Sequence, residues 1–84
     1  MKALKNLNLS ENQLSILPHI DLESVESINF QKNKLSDLSG FSTSVLPKLI
    51  KLDLTFNSLK YFPSMKLESL VYLYLSNNEI ESIN

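Results

Sequence analysis

The segment LIKLDLTFNSL, residues 49–59, contains the pattern that decides the fold. Its leucines stand at positions 49, 52, 54 and 59, and an asparagine stands at position 57. Because the side chains of a strand alternate between its two faces, Leu52 and Leu54 predict a short strand with one buried face. Lys51 and Asp53 then lie on the opposite, outer face of that strand.

The same frame occurs four times along the chain. The copies start at residues 4, 25, 49 and 70, so successive starts are 21, 24 and 21 residues apart. A repeat of roughly 20–50 residues is typical of a solenoid, in which each repeat buries its apolar side against its neighbours. We therefore expect one strand from each copy, with the strands parallel and side by side. Every copy holds aliphatic residues or phenylalanine at its apolar positions and an asparagine at its polar position: Asn12, Asn33, Asn57 and Asn78.

These copies resemble the leucine-rich repeat family, whose pattern is L-x-x-L-x-L-x-x-N/C-x-L. The resemblance covers residues 4–84. It implies an α/β-type solenoid, a segment of a right-handed horseshoe, with a four-strand parallel concave sheet. In this family the repeated asparagine turns inward and bonds buried backbone groups. The resemblance therefore implies a structural asparagine ladder formed by Asn12, Asn33, Asn57 and Asn78.

The segments that follow each asparagine form the convex side and supply the second wall of the core. Pro18, Pro47 and Pro63 exclude long helices there. We expect extended chain, turns or single 3₁₀ turns, and little or no long helix. Residues 36–44 hold the additional length of the second copy and the only glycine, Gly40, and predict the largest convex bulge. The expected core residues of the convex side are Leu17, Ile20, Leu22, Leu38, Phe41, Val45, Leu46, Phe62, Met65 and Leu67.

The chain of 84 residues is short enough to form a single unit, residues 1–84. Its repeats are residues 4–24, 25–48, 49–69 and 70–84. Solenoids need polar caps over the two ends of their core, and no polar cap precedes Leu4 or follows the last repeat. We therefore expect part of a longer solenoid, with flanking repeats or end-to-end self-association covering these ends.

The composition argues against several classes of site. The chain has no cysteine, one glycine and one histidine, His19, which excludes disulfides, thiolate metal sites and glycine-rich phosphate loops. We expect no catalytic residue, no metal and no cofactor, so the chain is predicted not to be an enzyme. The net charge of −1 and the absence of arginine among eight basic residues argue against a nucleic-acid partner. The longest apolar run, residues 70–75, is too short to cross a membrane, so no membrane partner is expected.

The outer face of the predicted sheet carries the residues that vary between copies. Because neighbouring strands lie about 4.8 Å apart, equivalent positions stack into ladders. The face is small and polar in the first two copies and becomes aromatic and charged in the last two. Tyrosines bury a large area at low entropic cost, so Tyr72 and Tyr74 are the candidate anchors. The predicted partner-binding residues are Asn8, Asn29, Lys51, Asp53, Phe56, Tyr72 and Tyr74.

The resemblance implies a non-catalytic scaffold for protein–protein interactions, with a protein partner on the concave face and the adjacent ascending loops. A second hypothesis is a recognition segment of a larger signalling enzyme or receptor whose catalytic or effector domain lies outside the chain. A third, a nucleic-acid-associated adaptor, needs a basic stripe, whereas the predicted face carries one lysine, Lys51. The first residues lack the apolar stretch of a signal peptide, which predicts an intracellular location, cytoplasmic or nuclear. A piece of a larger secreted protein would look the same.

Overall fold

A computed structural model describes residues 4–83, so the outermost residues of the predicted unit 1–84 lie outside the described part. Within residues 4–83 the chain forms short strands and one 3₁₀ helix. These elements are β1 Asn6–Asn8, β2 Ser27–Asn29, the 3₁₀ helix Phe41–Thr43, β3 Lys51–Asp53, β4 Tyr61–Phe62, β5 Tyr72–Tyr74 and β6 Ser82–Ile83.

The four copies of the repeat contribute one strand each to a parallel sheet, in the order β1-β2-β3-β5. The register is the same at every junction, with Leu52 between Ile28 on one side and Leu73 on the other. The predicted four-strand parallel sheet and the absence of long helices in the described residues are therefore confirmed. A constant register follows from the frame, because an equal position in each repeat must face the same core.

The 3₁₀ helix Phe41–Thr43 accommodates the additional length of the second repeat. Phe41 points into the core, where its ring meets Phe30 edge to face with the centroids 5.8 Å apart. Gly40 precedes this helix with an ordinary helical φ of −66°. A Cβ atom at Gly40 would lie 3.0 Å from the carbonyl oxygen of Leu17, so the close approach of the first repeat favours glycine there.

The core is best filled in the two middle repeats. Its fully buried members include Ile28, Phe30, Leu52 and Leu54, whereas the equivalent residues of the outer repeats are only partly buried or exposed. The convex side contributes most of the residues predicted for it. Its buried members are Leu17, Leu38, Phe41, Leu46 and Phe62, and Ile20, Leu22, Met65 and Leu67 pack against them partly buried.

Val45 is an exception, because it is 58% exposed and does not belong to the core. It pairs with Asp21 in an isolated parallel bridge, and its neighbours Ser44 and Leu46 are buried instead. Successive side chains of an extended segment point to opposite sides, so burying Ser44 and Leu46 turns Val45 outward. The buried Ser44 hydroxyl accepts a hydrogen bond from the Ile20 backbone N–H at 2.8 Å.

The return segments of the convex side also pair with one another, which the sequence did not predict. Strands β4 and β6 form a second parallel sheet, with Tyr61 opposite Ser82. A parallel bridge joins Ile16 to Asp37 at the same position of the first two repeats. Because each of these residues lies twelve positions after the start of its repeat, stacking in register also brings the return segments within hydrogen-bonding distance. The second sheet follows from this stacking and was missed from the sequence.

Asn57 shows what the repeated asparagine does. Its Nδ2 donates to the carbonyl oxygens of Leu54 in its own repeat, at 2.9 Å, and of Phe30 in the preceding repeat, at 3.1 Å. Its Oδ1 accepts from the backbone N–H of Leu35, at 3.1 Å. One short side chain thereby satisfies buried backbone groups on both sides of a repeat junction.

The other asparagines differ in whether their bonds cross a repeat junction. Asn33 and Asn78 make the same set of bonds across their junctions as Asn57. Asn12, in the first repeat, bonds only the carbonyl oxygens of Leu9 and Ser10 in its own turn. Within the described residues, the ladder therefore contains three repeat junctions and one residue that closes its own turn.

Candidate functional site

The outer side chains of the four-strand sheet form the surface that we call the concave face. The register places its residues in three ladders that run across the strands. The first ladder is Asn6, Ser27, Lys51 and Tyr72, and the second is Asn8, Asn29, Asp53 and Tyr74. The third ladder, two residues beyond the end of each strand, is Ser10, Gln31, Thr55 and Ser76.

In the first three repeats, the side chains of the second ladder accept hydrogen bonds from the nearby backbone. Each side-chain oxygen accepts a hydrogen bond from the backbone N–H two residues later, at 2.9–3.0 Å. This local pattern is the Asx-turn, in which the side chain of asparagine or aspartate takes the place of a backbone acceptor. The side-chain oxygens are thereby engaged, and the amide N–H groups of Asn8 and Asn29 are left to point outward from the face. The pairs are Asn8 with Ser10, Asn29 with Gln31, and Asp53 with Thr55.

Asp53 differs from the expectation of an exposed partner-binding residue. Only 8% of it is exposed, and its second carboxylate oxygen accepts from Nε2 of Gln31 at 2.7 Å. Its first oxygen accepts from both the backbone and the hydroxyl of Thr55. Because these neighbours already satisfy and cover the carboxylate, Asp53 serves to order the face and contributes little charge to its surface.

The last strand has no such bonds and carries the aromatic side chains. The rings of Tyr72 and Tyr74 are parallel within 4° and their centroids are 6.4 Å apart. Both remain exposed, Tyr72 by 52% and Tyr74 by 41%. Lys51 on the neighbouring strand places its ammonium group 5.6 Å from the centroid of the Tyr74 ring, within the range of a cation–π contact. These three predicted site residues therefore come together, whereas Asn8 lies two strands away from β3.

Ile50 and Val71 are exposed apolar residues next to the strands that carry this surface, and they were missed from the sequence. They occupy the position just before β3 and β5, and the Val71 N–H donates to the Ile50 carbonyl oxygen at 2.8 Å. Ile50 is 37% and Val71 69% exposed. The equivalent residues of the first two repeats are Lys5 and Glu26. This change from charged to apolar residues at one repeat position was the available signal. A shallow groove beside Ile50 is lined by Asn6, Glu26, Ser27, Ile50, Lys51 and Tyr72.

Phe56 lies on the ascending loop, in the turn between β3 and Asn57. Its ring is 49% exposed. Its backbone is left-handed, with a φ of 59°, and the residues at the same position of the other repeats are left-handed as well. Phe56 is tied to the last repeat by its N–H, which donates to the Ser76 carbonyl oxygen at 3.0 Å. The loop therefore stands beside the strand that carries the two tyrosines.

A polar cluster on the convex side joins the first and second repeats. His19 lies between two partners, with Nε2 2.7 Å from Oδ1 of Asp21 and Nδ1 2.7 Å from the hydroxyl oxygen of Thr43. The same Oδ1 accepts from the Val45 N–H at 2.9 Å. These contacts, above all the one with His19, hold the pKa of Asp21 below its usual range. His19 thus takes part in a contact between repeats.

Within residues 4–83, no group of three or more histidine, aspartate or glutamate side chains is arranged to hold a metal ion. In the same range, no helix has the length and apolar character needed to cross a lipid bilayer.

Comparison with known proteins places the chain among repeat proteins. The sequence profile described as "Leucine Rich Repeat" matches residues 3–23 and 69–84. Fibromodulin from Sus scrofa is 34% identical over 85 residues, covering 98% of this chain and 57% of the fibromodulin sequence. Lumican from Mus musculus is 38% identical over 84 residues, covering 98% of this chain and 25% of the lumican sequence. Osteomodulin from Rattus norvegicus is 39% identical over 87 residues, covering 98% of this chain and 21% of the osteomodulin sequence.

These relatives correct the predicted location. Fibromodulin, lumican and osteomodulin are secreted extracellular matrix proteins, so the expectation of an intracellular location is wrong. That expectation depended on the composition of the first residues. Such a feature carries little information for a chain that spans only part of its relatives' length.

The repeat frame, the in-register parallel sheet and the similarity to these relatives lead to the same classification. The apolar positions of the frame face the core, and its asparagines bond across the repeat junctions. The chain carries the leucine-rich repeat frame and is similar to leucine-rich repeat proteins.

Proposed function

We propose that the chain is a non-catalytic protein-interaction segment whose partner contacts the last two repeats of the concave face. The observation that carries this proposal is the pair of parallel, half-exposed rings of Tyr72 and Tyr74 beside Lys51. Tyrosine and tryptophan dominate binding energy at protein interfaces because they bury a large area with few rotatable bonds. A strand fixes the backbone of both tyrosines, so their rings lose little further freedom on binding.

The apolar neighbours of the tyrosines enlarge this contact surface. Ile50 and Val71 are exposed on the same two repeats, and burying them against a partner removes apolar area from water. Lys51 supplies a cation next to the aromatic rings. The combination of aromatic, aliphatic and single charged groups is typical of the centre of a protein interface.

The first two repeats have a secondary role in this proposal. Asn8 and Asn29 use their oxygens for the backbone, so they offer only amide donors to a partner. Donors of this kind suit the polar rim of an interface, where water still has access. We therefore assign Asn8 and Asn29 to the rim, and Tyr72 and Tyr74 to the centre.

The size of the concave face limits how tightly four repeats can bind. Three spacings of about 4.8 Å between strands and about five residues of 3.3 Å along each strand give an area on the order of 250–350 Å². A standard interface buries about 800 Å² on each partner. Phe56 and its ascending loop add to the contact, and in a longer chain neighbouring repeats would add further area. The same surface then serves as the recognition segment of that longer protein.

A protein partner fits these groups better than a nucleic acid. Nucleic-acid affinity comes mainly from several cations that contact phosphates, whereas the described concave ladders hold one, Lys51. The similarity to leucine-rich repeat proteins, and the non-enzymatic nature of fibromodulin, lumican and osteomodulin, support a binding role without catalysis.

The open edges of the sheet support a second contact, between repeats. Strands β1 and β5 each pair on one side only within the described residues, and Leu73 of β5 is 37% exposed. We assign these edges to flanking repeats or to end-to-end association with a second copy. Light scattering after size-exclusion chromatography, over a range of concentrations, distinguishes association of copies from a monomer.

The experiment for the main proposal replaces Tyr72 and Tyr74 together with serine. The matched control replaces Tyr61, an exposed tyrosine of the convex strand β4, with serine. Retention of each labelled variant on an immobilised extracellular matrix extract is compared with that of the original chain, with circular dichroism as the test of folding. We expect the double tyrosine variant to lose retention while it stays folded, and the control to keep it. Equal retention of both variants would place the contact elsewhere.

A further inference from the structure

Phe56 occupies a backbone position that the fold makes left-handed in every repeat. Its φ is 59°, and the equivalent residues Glu11, Lys32 and Asn77 have φ values of 57°, 58° and 58°. Each of them stands immediately before an asparagine of the ladder. The conformation therefore belongs to the repeat and does not depend on the side chain that happens to be there.

Phenylalanine is a poor residue for this position on two counts. The left-handed region brings the Cβ atom close to the backbone, which bulky side chains tolerate badly and which asparagine tolerates better than most other residues with a Cβ atom. The ring also remains 49% exposed, so burial compensates little for this strain. Asn77, at the same position in the next repeat, is the residue that folding alone would favour. A strained residue that the surrounding structure holds in place is a frequent feature of functional sites.

The turn presents the ring of Phe56 in a fixed place. Its N–H donates to the Ser76 carbonyl oxygen at 3.0 Å. The following Asn57 donates to the carbonyl oxygens of Leu54 at 2.9 Å and Thr55 at 3.3 Å, which closes the turn around Phe56. Because the backbone is ordered before a partner arrives, binding through this ring costs less conformational entropy than binding through a mobile loop.

The surroundings of Phe56 suggest the shape of the partner. The residues at the same turn position in the adjacent repeats are polar, Lys32 on one side and Asn77 on the other. Phe56 is therefore the one apolar side chain among the four equivalent turn positions of residues 4–83. An extended peptide would pair with a sheet edge or lie in a groove, whereas an isolated ring gains energy by entering a pocket on the other molecule.

We infer that Phe56 is a preformed anchor that inserts into an apolar pocket of a folded protein partner. This inference rests on the proposed protein-interaction function and names the kind of partner. The concave tyrosines supply the flat part of the contact, and Phe56 supplies the projection at its edge.

The first test separates a binding role from a structural one. Phe56→Asn removes the strain, and we expect its melting temperature to rise by about 4–8 °C, the shift that a modest stabilisation gives in a domain of this size. The matched control Asn77→Phe introduces the same side chain at the same position of the next repeat, and it should lower the melting temperature. A fall for Phe56→Asn, or no fall for Asn77→Phe, would overturn the inference, because the ring would then support the fold.

The second test uses the photo-reactive analogue p-benzoylphenylalanine at position 56, with positions 77 and 74 as comparisons. The variants are irradiated with a native or a heat-denatured extracellular matrix extract. We expect position 56 to form cross-links with the native extract only, and position 77 to form none. The unlabelled original chain should compete for these cross-links at a concentration roughly tenfold or more lower than Phe56→Asn requires.

The outcomes separate this inference from the proposed function. Cross-links at position 74 without any at position 56 overturn the anchor and leave the concave contact standing. Cross-links at position 56 that persist with the denatured extract overturn the folded partner, because an unfolded chain has no preformed pocket. Absence of cross-links at both positions overturns the proposed function and the anchor together.

Discussion

The two middle repeats and the two outer repeats have the same sequence frame but very different burial. Leu52, in the third repeat, is fully buried, whereas Leu73, at the same position of the fourth repeat, is 37% exposed. The strands that carry them are direct neighbours in register. Their difference therefore comes from the number of neighbours: β3 pairs with a strand on each side, and β5 pairs with one.

This difference shows that a repeat is stabilised mostly by the repeats beside it. In a solenoid the stability is close to a sum of terms within repeats and terms between neighbours. Within the described residues, an outer repeat packs against one neighbour and a middle repeat against two, so the outer repeat is stabilised less although its sequence is as regular. The same comparison applies to the asparagines, because within residues 4–83 Asn12 bonds only its own turn, whereas Asn57 bonds across a repeat junction.

The largest expected effect tests the core. Leu52→Ala should destabilise the chain by about 2–5 kcal/mol, because it removes buried methyl groups and leaves a cavity. Leu73→Ala should cost about half of that or less, since the side chain is already partly in water. The midpoints of urea denaturation of the two variants give the comparison. Equal costs would contradict this picture and show that another repeat or a second copy covers Leu73 in solution.

The next effect tests the asparagine ladder. Asn57→Ala leaves the buried Leu35 N–H without its partner and removes one of the two amide donors to the Phe30 carbonyl oxygen, which should cost about 1–3 kcal/mol. Asn12→Ala removes only bonds within an exposed turn and should cost less than about 1 kcal/mol.

Hydrogen exchange provides the control for this pair. In Asn57→Ala the Leu35 amide should lose protection, whereas the Leu59 amide, which is bonded to Asn78, should keep it. Loss of protection at both amides alike would mean that the substitution disturbs the whole repeat stack and not one junction.

The sequence was sufficient to predict the parts of the fold that depend on the frame. Leu52 and Leu54 alternate with Lys51 and Asp53, so the strand and its buried face could be derived from period two alone. Tyr74 and Asp53 occupy the same position of the repeat frame, which predicts that they are neighbours, and the register of the sheet shows them side by side. Features that repeat with the frame are predictable because four independent copies give the same answer.

Features that depend on one repeat were not predictable in this way. Val45 lies in the only longer repeat, where no equivalent residue indicates which side of the segment faces the core. Asp53 is covered because Gln31 and Thr55 happen to reach its carboxylate, which depends on side-chain lengths in two repeats. The left-handed turn at Phe56 concerns the sign of a backbone dihedral, about which apolar periodicity gives no information.

The smallest expected effect concerns the convex contact that joins an outer repeat to a middle one. The pKa of Asp21 is lowered chiefly by its hydrogen bond with His19 and further by the Val45 N–H. An aspartate whose pKa is lower in the folded chain stabilises it above the unfolded pKa of about 3.9, and this contribution is lost as the pH falls through the folded value. Asp21→Asn should therefore lower the urea midpoint slightly at pH 6, and this effect should shrink as the pH falls below the unfolded pKa of about 3.9.

Asp37 provides the control, because its pKa is lowered by the backbone and side chain of Ser39, without a histidine. His19→Gln should therefore reduce the effect of Asp21→Asn at pH 6 and leave the effect of Asp37→Asn unchanged. An exposed pair contributes little to stability, so the double-mutant cycle, and not the single variants, carries the comparison. If the effect of Asp21→Asn is the same with and without His19, the two side chains are not coupled in solution, and the contribution of Asp21 comes from its bond with the Val45 N–H of the second repeat.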